Sequence, residues 1–236
     1  SKNMIELSSK DLEQLDSKGI SKEKVINQIQ TFKEGIPFVQ LLRAAVVGNG
    51  ILRFSEKEQR ELIQYFEDHR GNLDLLKFVP ASGAASRMFK AMFNFLDNYD
   101  PSIEKLSEYI KRTGDKDAKI FTENLNKFPF YESIMERIKG KASSKDEEAY
   151  LFVKEMLMES GLNYGFYPKG LLPFHKYETG TATPFEEHLK EAALYAKTKG
   201  KANLHFTVSE QHDEMFAKEE ASVGPKISEQ TGTQFN

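Results

Sequence analysis

Apolar residues recur at helical spacing along most of the chain, and two short stretches read as strands instead. In the first seventy residues, Ser9 precedes Leu12 and Leu15, and Ser21 precedes Val25, Ile26 and Ile29. Gly35-Ile36-Pro37 interrupts the pattern, which Phe38, Leu41, Leu42, Ala45 and Val46 resume as far as Gly48-Asn49-Gly50. Ser55-Glu56-Lys57-Glu58 is a capping box, and it predicts a helix through Leu62, Ile63 and Phe66. The first compact run is Leu75 to Val79, which reads as a buried strand. Pro80 has no amide hydrogen and ends it. A loop of small residues follows, Ala81-Ser82-Gly83-Ala84-Ala85-Ser86, and then a helical pattern with Met88, Phe89, Met92 and Phe93 on one face.

Residues 100–160 return to helical spacing. Ile103, Leu106, Tyr109 and Ile110 follow Pro101-Ser102, Phe121 and Leu125 come before Pro129, and Ile134, Met135 and Ile138 lead to Gly140. Ser144-Lys145-Asp146-Glu147 is a second capping box, opening a helix with Leu151, Val153, Met156 and Leu157. This aromatic and methionine stripe reads as core, and the charges between read as a solvated face. Thr183-Pro184-Phe185-Glu186 combines a threonine cap, a proline in the first turn and an acid at the third position. The helix it starts carries Phe185, Leu189, Ala192, Ala193 and either Tyr195 or Ala196. The second compact run, Asn203 to Val208, is a β-branched and aromatic strand, and Ser209-Glu210-Gln211-His212 runs from it into a helical turn. Strand followed by helix thus occurs twice. That order predicts an α/β fold with a parallel sheet and ligands at the strand C-termini. The expected division is a helical N-terminal segment over 1–72 and an α/β domain over 73–236 with a helical insert at about 100–160. Gly232 to Asn236 reads as the start of a further strand.

Composition narrows the function more than the fold. A chain of 236 residues is long enough to bury a core. Its net charge of −3 supplies no basic field for nucleic acid. Without cysteine there is no disulfide, thiolate metal site or cysteine nucleophile. No apolar run reaches the roughly 20 residues that span a bilayer, and no leader pattern opens the chain. A cytoplasmic protein with no nucleic-acid and no membrane partner is expected.

Two stretches carry candidate chemistry. A strand, a small-residue loop and a helix N-terminus aim free amides and a positive dipole at one spot, which suits a phosphate. Arg87 in a first helical turn opposes that dipole, and a bound phosphate would account for a planar, multi-donor cation there. The same small residues also fit a tight turn that lets the helix pack closely. With a single glycine, the loop meets neither the Walker pattern nor the dinucleotide fingerprint. In the second stretch, Pro168-Lys169-Gly170-Leu171-Leu172-Pro173-Phe174 holds a lysine between prolines. His175 and Lys176 follow it, either reaching a substrate phosphate or lying on a surface loop. His69 reads as a surface residue, His188 as a packing or surface residue, and His205 as a satisfied core histidine. His205 and His212 lack the spacing of a metal pair. Asp213 and Glu214 read as a solvated helix start.

VPASGAASRM resembles the signature loop of sugar-phosphate nucleotidyltransferases, where a small-residue loop ends in arginine and a large apolar residue. PKGLLPF resembles the second signature of the same enzymes. The whole chain, including TPFEEHL and LHFTVSEQH, is similar to the domain-of-unknown-function 4301 family, which resembles nucleotidyltransferases of the glycosyltransferase-A-like fold. The resemblance implies a Rossmann-like, nucleotidyltransferase-type parallel sheet with helices on both faces. Ala81, Ser82, Gly83, Ala84, Ala85 and Ser86 would wrap a nucleoside triphosphate, Arg87 would stabilise the transferring phosphates, and Lys169 would contact a nucleotide or sugar phosphate. The implied reaction joins a nucleotide to a sugar 1-phosphate and releases pyrophosphate, with Mg2+ as cofactor. Its metal ligands have no assigned position in this sequence. The chain departs from the pattern in its glycine-poor loop and in the insert between the two signatures. The resembled enzymes are longer, so this chain is expected to be the N-terminal portion of a larger protein. A catalytically inactive nucleotide-binding or interaction module of the same fold is the alternative.

Overall fold

The structure, a computed structural model, describes residues 5–236. The chain divides into two compact units between Gln59 and Arg60. In the first, α1 (Ser9–Ser17) begins with a capping box in which Ser8 and Asp11 satisfy each other's amides. Ser21 caps α2 (Lys22–Glu34), which stops at Gly35 with φ of 84°. The helix predicted from Phe38 to Val46 does not form. Residues 36–45 have no regular structure, and β1 (Val46–Val47) pairs with β2 (Gly50–Ile51) across Gly48. Phe38 and Leu42 are fully exposed. An amphipathic pattern holds a short helix only when its apolar face is buried, and Phe38, Leu41 and Leu42 are exposed. The box at Ser55 and Glu58 does form, and it opens α3 (Glu56–His69).

The second unit has two cores. β3 (Leu76–Pro80) leads through the small-residue loop into a 3-10 turn at Ala85–Arg87 and then α4 (Lys90–Asn98). The segment read as an insert forms α5 (Leu106–Thr113), α6 (Lys116–Glu123), α7 (Tyr131–Ile138) and α8 (Lys145–Leu157). With α4 these four helices build the larger core. Phe95, Ile134, Phe152, Val153 and Met156 are fully buried in it. The apolar stripes are core, as the spacing predicts.

The sheet lies beyond. β4 (His175–Tyr177) and β5 (Gly180–Ala182) form a separate antiparallel hairpin. Then come α9 (Pro184–Tyr195), β6 (Lys197–Thr198), β7 (Lys201–Thr207), α10 (Asp213–Thr231) and β8 (Gln234–Phe235). β7 pairs in parallel with β3, Leu76 opposite Asn203 and Pro80 opposite Thr207, and in parallel with β8. β6 folds back on it as an antiparallel hairpin. The class is therefore α/β, and β7-α10-β8 is a strand-helix-strand crossover between parallel neighbours. The strand expected at the end of the chain is β8.

Within this unit, helices α9 and α10 pack on one face of the sheet. Leu204 and Phe206 pack with Phe185, Leu189 and Phe216 of α9 and α10. Across the sheet, Leu76 and Phe78 are more than half exposed, and His205 and Thr207 are exposed beside them. Leu75 to Val79 is thus buried on one face only. The alternation of Leu76 and Phe78 against Lys77 and Val79 resolves into an open side and a packed side. His205 is corrected with it: its ring stacks on Phe78 at 5.1 Å on the open face instead of lying in a core.

Candidate functional site

The loop after β3 is pinned at both ends. The Ala81 amide donates to Thr207 O at 2.7 Å, carrying the β3–β7 ladder past Pro80. The Ala85 amide donates to Tyr167 O at 3.1 Å, and the Lys169 amide donates to Gly83 O at 3.0 Å. These last two bonds make an isolated antiparallel bridge between Ala84 and Pro168. The two stretches singled out in the sequence, about eighty residues apart, therefore lie side by side. Between the pins, the amides of Ser82, Gly83 and Ala84 donate to no protein acceptor among the described residues. Ser82, Gly83, Ala84 and Ser86 are exposed. Unpaired amides in a row, free of side-chain bulk at Gly83, can receive an anion.

A cavity of about 220 Å³ opens beside this bridge, walled by Pro80, Ala81 and Gly83, by Lys169 and Gly170, and by Pro184 and His188 of α9. Phe185, Phe206 and Phe216 floor it. The first turn of α9 is built as its sequence predicts: the Glu186 amide donates to Thr183 Oγ1 at 3.2 Å, and Pro184 takes the first position. Thr183 Oγ1 also donates to Glu219 of α10 at 2.9 Å, which ties the two helices under the cavity.

Arg87 is placed differently. It sits in the 3-10 turn, three residues before α4 begins, so it does not occupy the first turn of an α-helix. Its side chain lines a separate depression with Lys90, Asp115 and Asp117, although its backbone adjoins the bridge. The structure brings Lys169 together with Ala81 and Gly83 around one cavity, and it turns the Arg87 side chain toward another. Arg87 and Lys169 are both exposed, and neither has a carboxylate partner among the described residues. His175 and Lys176 lie on the exposed β4–β5 hairpin and do not line the cavity.

His188 is the residue sequence reasoning passed over. Proline at the first helical position and a histidine four residues on share one helix face, so the readable start of α9 already placed them together. Its neighbour Glu191 is held by Lys77 of β3, which reaches both that carboxylate and the Tyr195 hydroxyl, the latter at 2.8 Å. The bond from Lys77 holds the Glu191 carboxyl below its ordinary range. Burial pulls the Lys77 ammonium down, and its bonds to Glu191 and Tyr195 outweigh that and leave it raised.

The other candidates resolve as structural groups. His212 is buried, with Nε2 donating to Phe166 O at 3.0 Å and Nδ1 facing Ser209 Oγ at 2.9 Å. Glu214 pairs with Lys218 on the surface of α10 at 2.8 Å. No group of three or more histidine or acidic side chains among the described residues could hold a metal ion. The cavity wall itself contributes one lysine and one histidine and no carboxylate, a donor set that does not fit magnesium. No described helix is long and apolar enough to cross a membrane.

These features belong to an α/β protein with an amide-rich loop and a lysine-lined cavity at the ends of parallel strands. By sequence, residues 8–236 match the family described as Domain of unknown function (DUF4301), and the chain belongs to that family. No curated protein and no solved structure matches it.

Proposed function

We propose that this site binds phosphates in a nucleotidyltransferase that joins a nucleotide to a sugar 1-phosphate and releases pyrophosphate. The observation that carries this reading is the bridge between Ala84 and Pro168, which sets two phosphate-type signatures in contact. In this reading the amides of Ser82, Gly83 and Ala84 receive phosphate oxygens. Lys169 neutralises charge at the cavity, and Arg87 reaches the phosphates from the neighbouring depression. In-line transfer needs positioning and charge neutralisation rather than a protein nucleophile, so a chain without a triad or cysteine is suited to it. The cytoplasm is where this reading places the reaction. Magnesium would neutralise the triphosphate, and no step is assigned to it because the cavity lacks carboxylates.

That lack also favours a second reading, a nucleotide-binding module without transfer. One experiment separates them: incubation of the protein with each nucleoside triphosphate and a hexose 1-phosphate, with pyrophosphate release measured. The enzyme reading expects release, reduced about hundredfold or more by Arg87→Ala or Lys169→Ala. Release that both variants leave unchanged overturns it. Thermal stabilisation by a nucleoside triphosphate without any release supports the module.

A further inference from the structure

His188 contributes to the cavity wall in an unusual state. Its Nδ1 is buried and makes no hydrogen bond, and lies 3.4 Å from Glu191 Oε2. Yet 37% of the side chain is exposed, and the residue lines the cavity. The groups facing it are few. Glu191 lies on its own helix, Lys77 of β3 and Tyr195 stand behind Glu191, and Lys169 stands across the cavity. Phe206 and Phe216 supply only rings. Lys77 neutralises Glu191, so that carboxylate adds no net negative charge at the cavity.

We propose that His188 Nε2 and Lys169 Nζ together bind the phosphate of a phosphate monoester in this cavity. The volume sets the class of ligand. About 220 Å³ is below the range of a drug-sized pocket, and a phosphate with part of a sugar ring fits within it. This rests on the reading above and assigns its acceptor subsite: the sugar 1-phosphate enters between Lys169 and His188, and the triphosphate lies outside along Ser82 to Ala84. An imidazolium donates a charge-assisted hydrogen bond, and the neutral ring does so only in one tautomer. A dianionic ligand is therefore held more tightly by an imidazolium than by a neutral ring.

Sulfate is the first probe, because it stays dianionic where phosphate titrates. Calorimetry on the full chain should give a sulfate affinity that falls at least fivefold from pH 6 to pH 8, the interval in which histidine loses its charge. His188→Gln should flatten that dependence and weaken binding at pH 6 about tenfold. Lys169→Ala should weaken it at both pH values. Glucose 1-phosphate should compete with sulfate, and glucose should not. For a check that needs no variant, sulfate should shift the ring resonances of His188 more than those of exposed His205. A pH-independent sulfate affinity, equal shifts at both histidines, or a profile unchanged in His188→Gln overturns the proposal. Pyrophosphate release is a separate readout: His188-dependent binding without release leaves the subsite and removes the transferase, and release without it does the reverse.

Discussion

Lys77 occupies an inward position of a strand that otherwise presents Val79 to the packed side, and a cation there requires a partner. It finds two in α9, Glu191 and Tyr195, and its ammonium lies 5.0 Å from the Tyr195 ring centre. The pair links β3 to the helix that carries His188, so its pH dependence bears on the cavity. Glu191 has a folded value below its unfolded one. Its contribution is therefore present above the ordinary glutamate value of about 4.3 and is lost as pH falls through the lower folded value. Denaturation of wild type and Glu191→Gln should show a stability difference at pH 5 that shrinks toward pH 3. Because Glu191 is half exposed, solvent screening keeps the effect small. Asp115 caps α6 by accepting from the Ala118 amide at 2.9 Å. That cap was legible, since an aspartate before an apolar-periodic run is a helix start by composition alone.

Among the elements, α9 connects the site to the rest of the α/β core. Its first turn is ordered by Thr183, whose hydroxyl accepts from Glu186 and donates to Glu219. Thr183→Ala removes both bonds. It should lower stability by about 1 kcal/mol for the cap alone, with Thr183→Ser recovering most of it. A loss well below the cap value in denaturant titration would mean that water replaces the threonine. The helices from α4 to α8 close on an aromatic cluster in which Phe95 meets Tyr99, Phe121 and Tyr109 at 5.1, 5.3 and 5.8 Å. This cluster makes the segment between the two signatures a core in its own right, where the sequence order alone presented it as an insert. The start of α4 went the other way. Met88 and Phe89 fit its helical pattern, but the chain spends residues 85–87 in a 3-10 turn and Phe89 is the flanking residue. The bonds from Ala85 and Lys169 to the facing strand of loop decide this, and they join residues too distant for any local pattern to reveal.

In the whole molecule, the two units differ in how much they bury. Among residues 5–59 none is buried, and residues 36–45 run exposed without regular structure. Exposed backbone of this kind is cut first by proteases. Limited trypsin digestion should therefore cleave after Arg43 well before Arg137, which lies in α7 and is paired with Glu155. Mass analysis of the earliest fragments checks this, and early cleavage at Arg137 would contradict the burial. In the second unit, the open sheet face bearing Leu76, Phe78 and His205 was unreadable from sequence. A five-residue apolar run is compatible with one covered face or two, and only the placement of α9 and α10 distinguishes them.

Local chemistry determined what lay within a few residues. The sequence by itself specified the helix starts at Ser21, Ser55, Ser144 and Thr183, the strands within 75–79 and 203–208, the helical stripes, and a small-residue loop, while the first cap fell at Ser8, one residue before the serine that the pattern singled out. Each follows from the 3.6- and 2-residue periods and from side chains that bond nearby amides. The tertiary structure alone decided that the loop touches Pro168 and Lys169, that Arg87 lines a neighbouring depression, and that His188 lines the cavity. Those outcomes depend on hydrogen bonds and packing between segments about eighty to a hundred residues apart, and the chain's periodicity carries no record of such meetings.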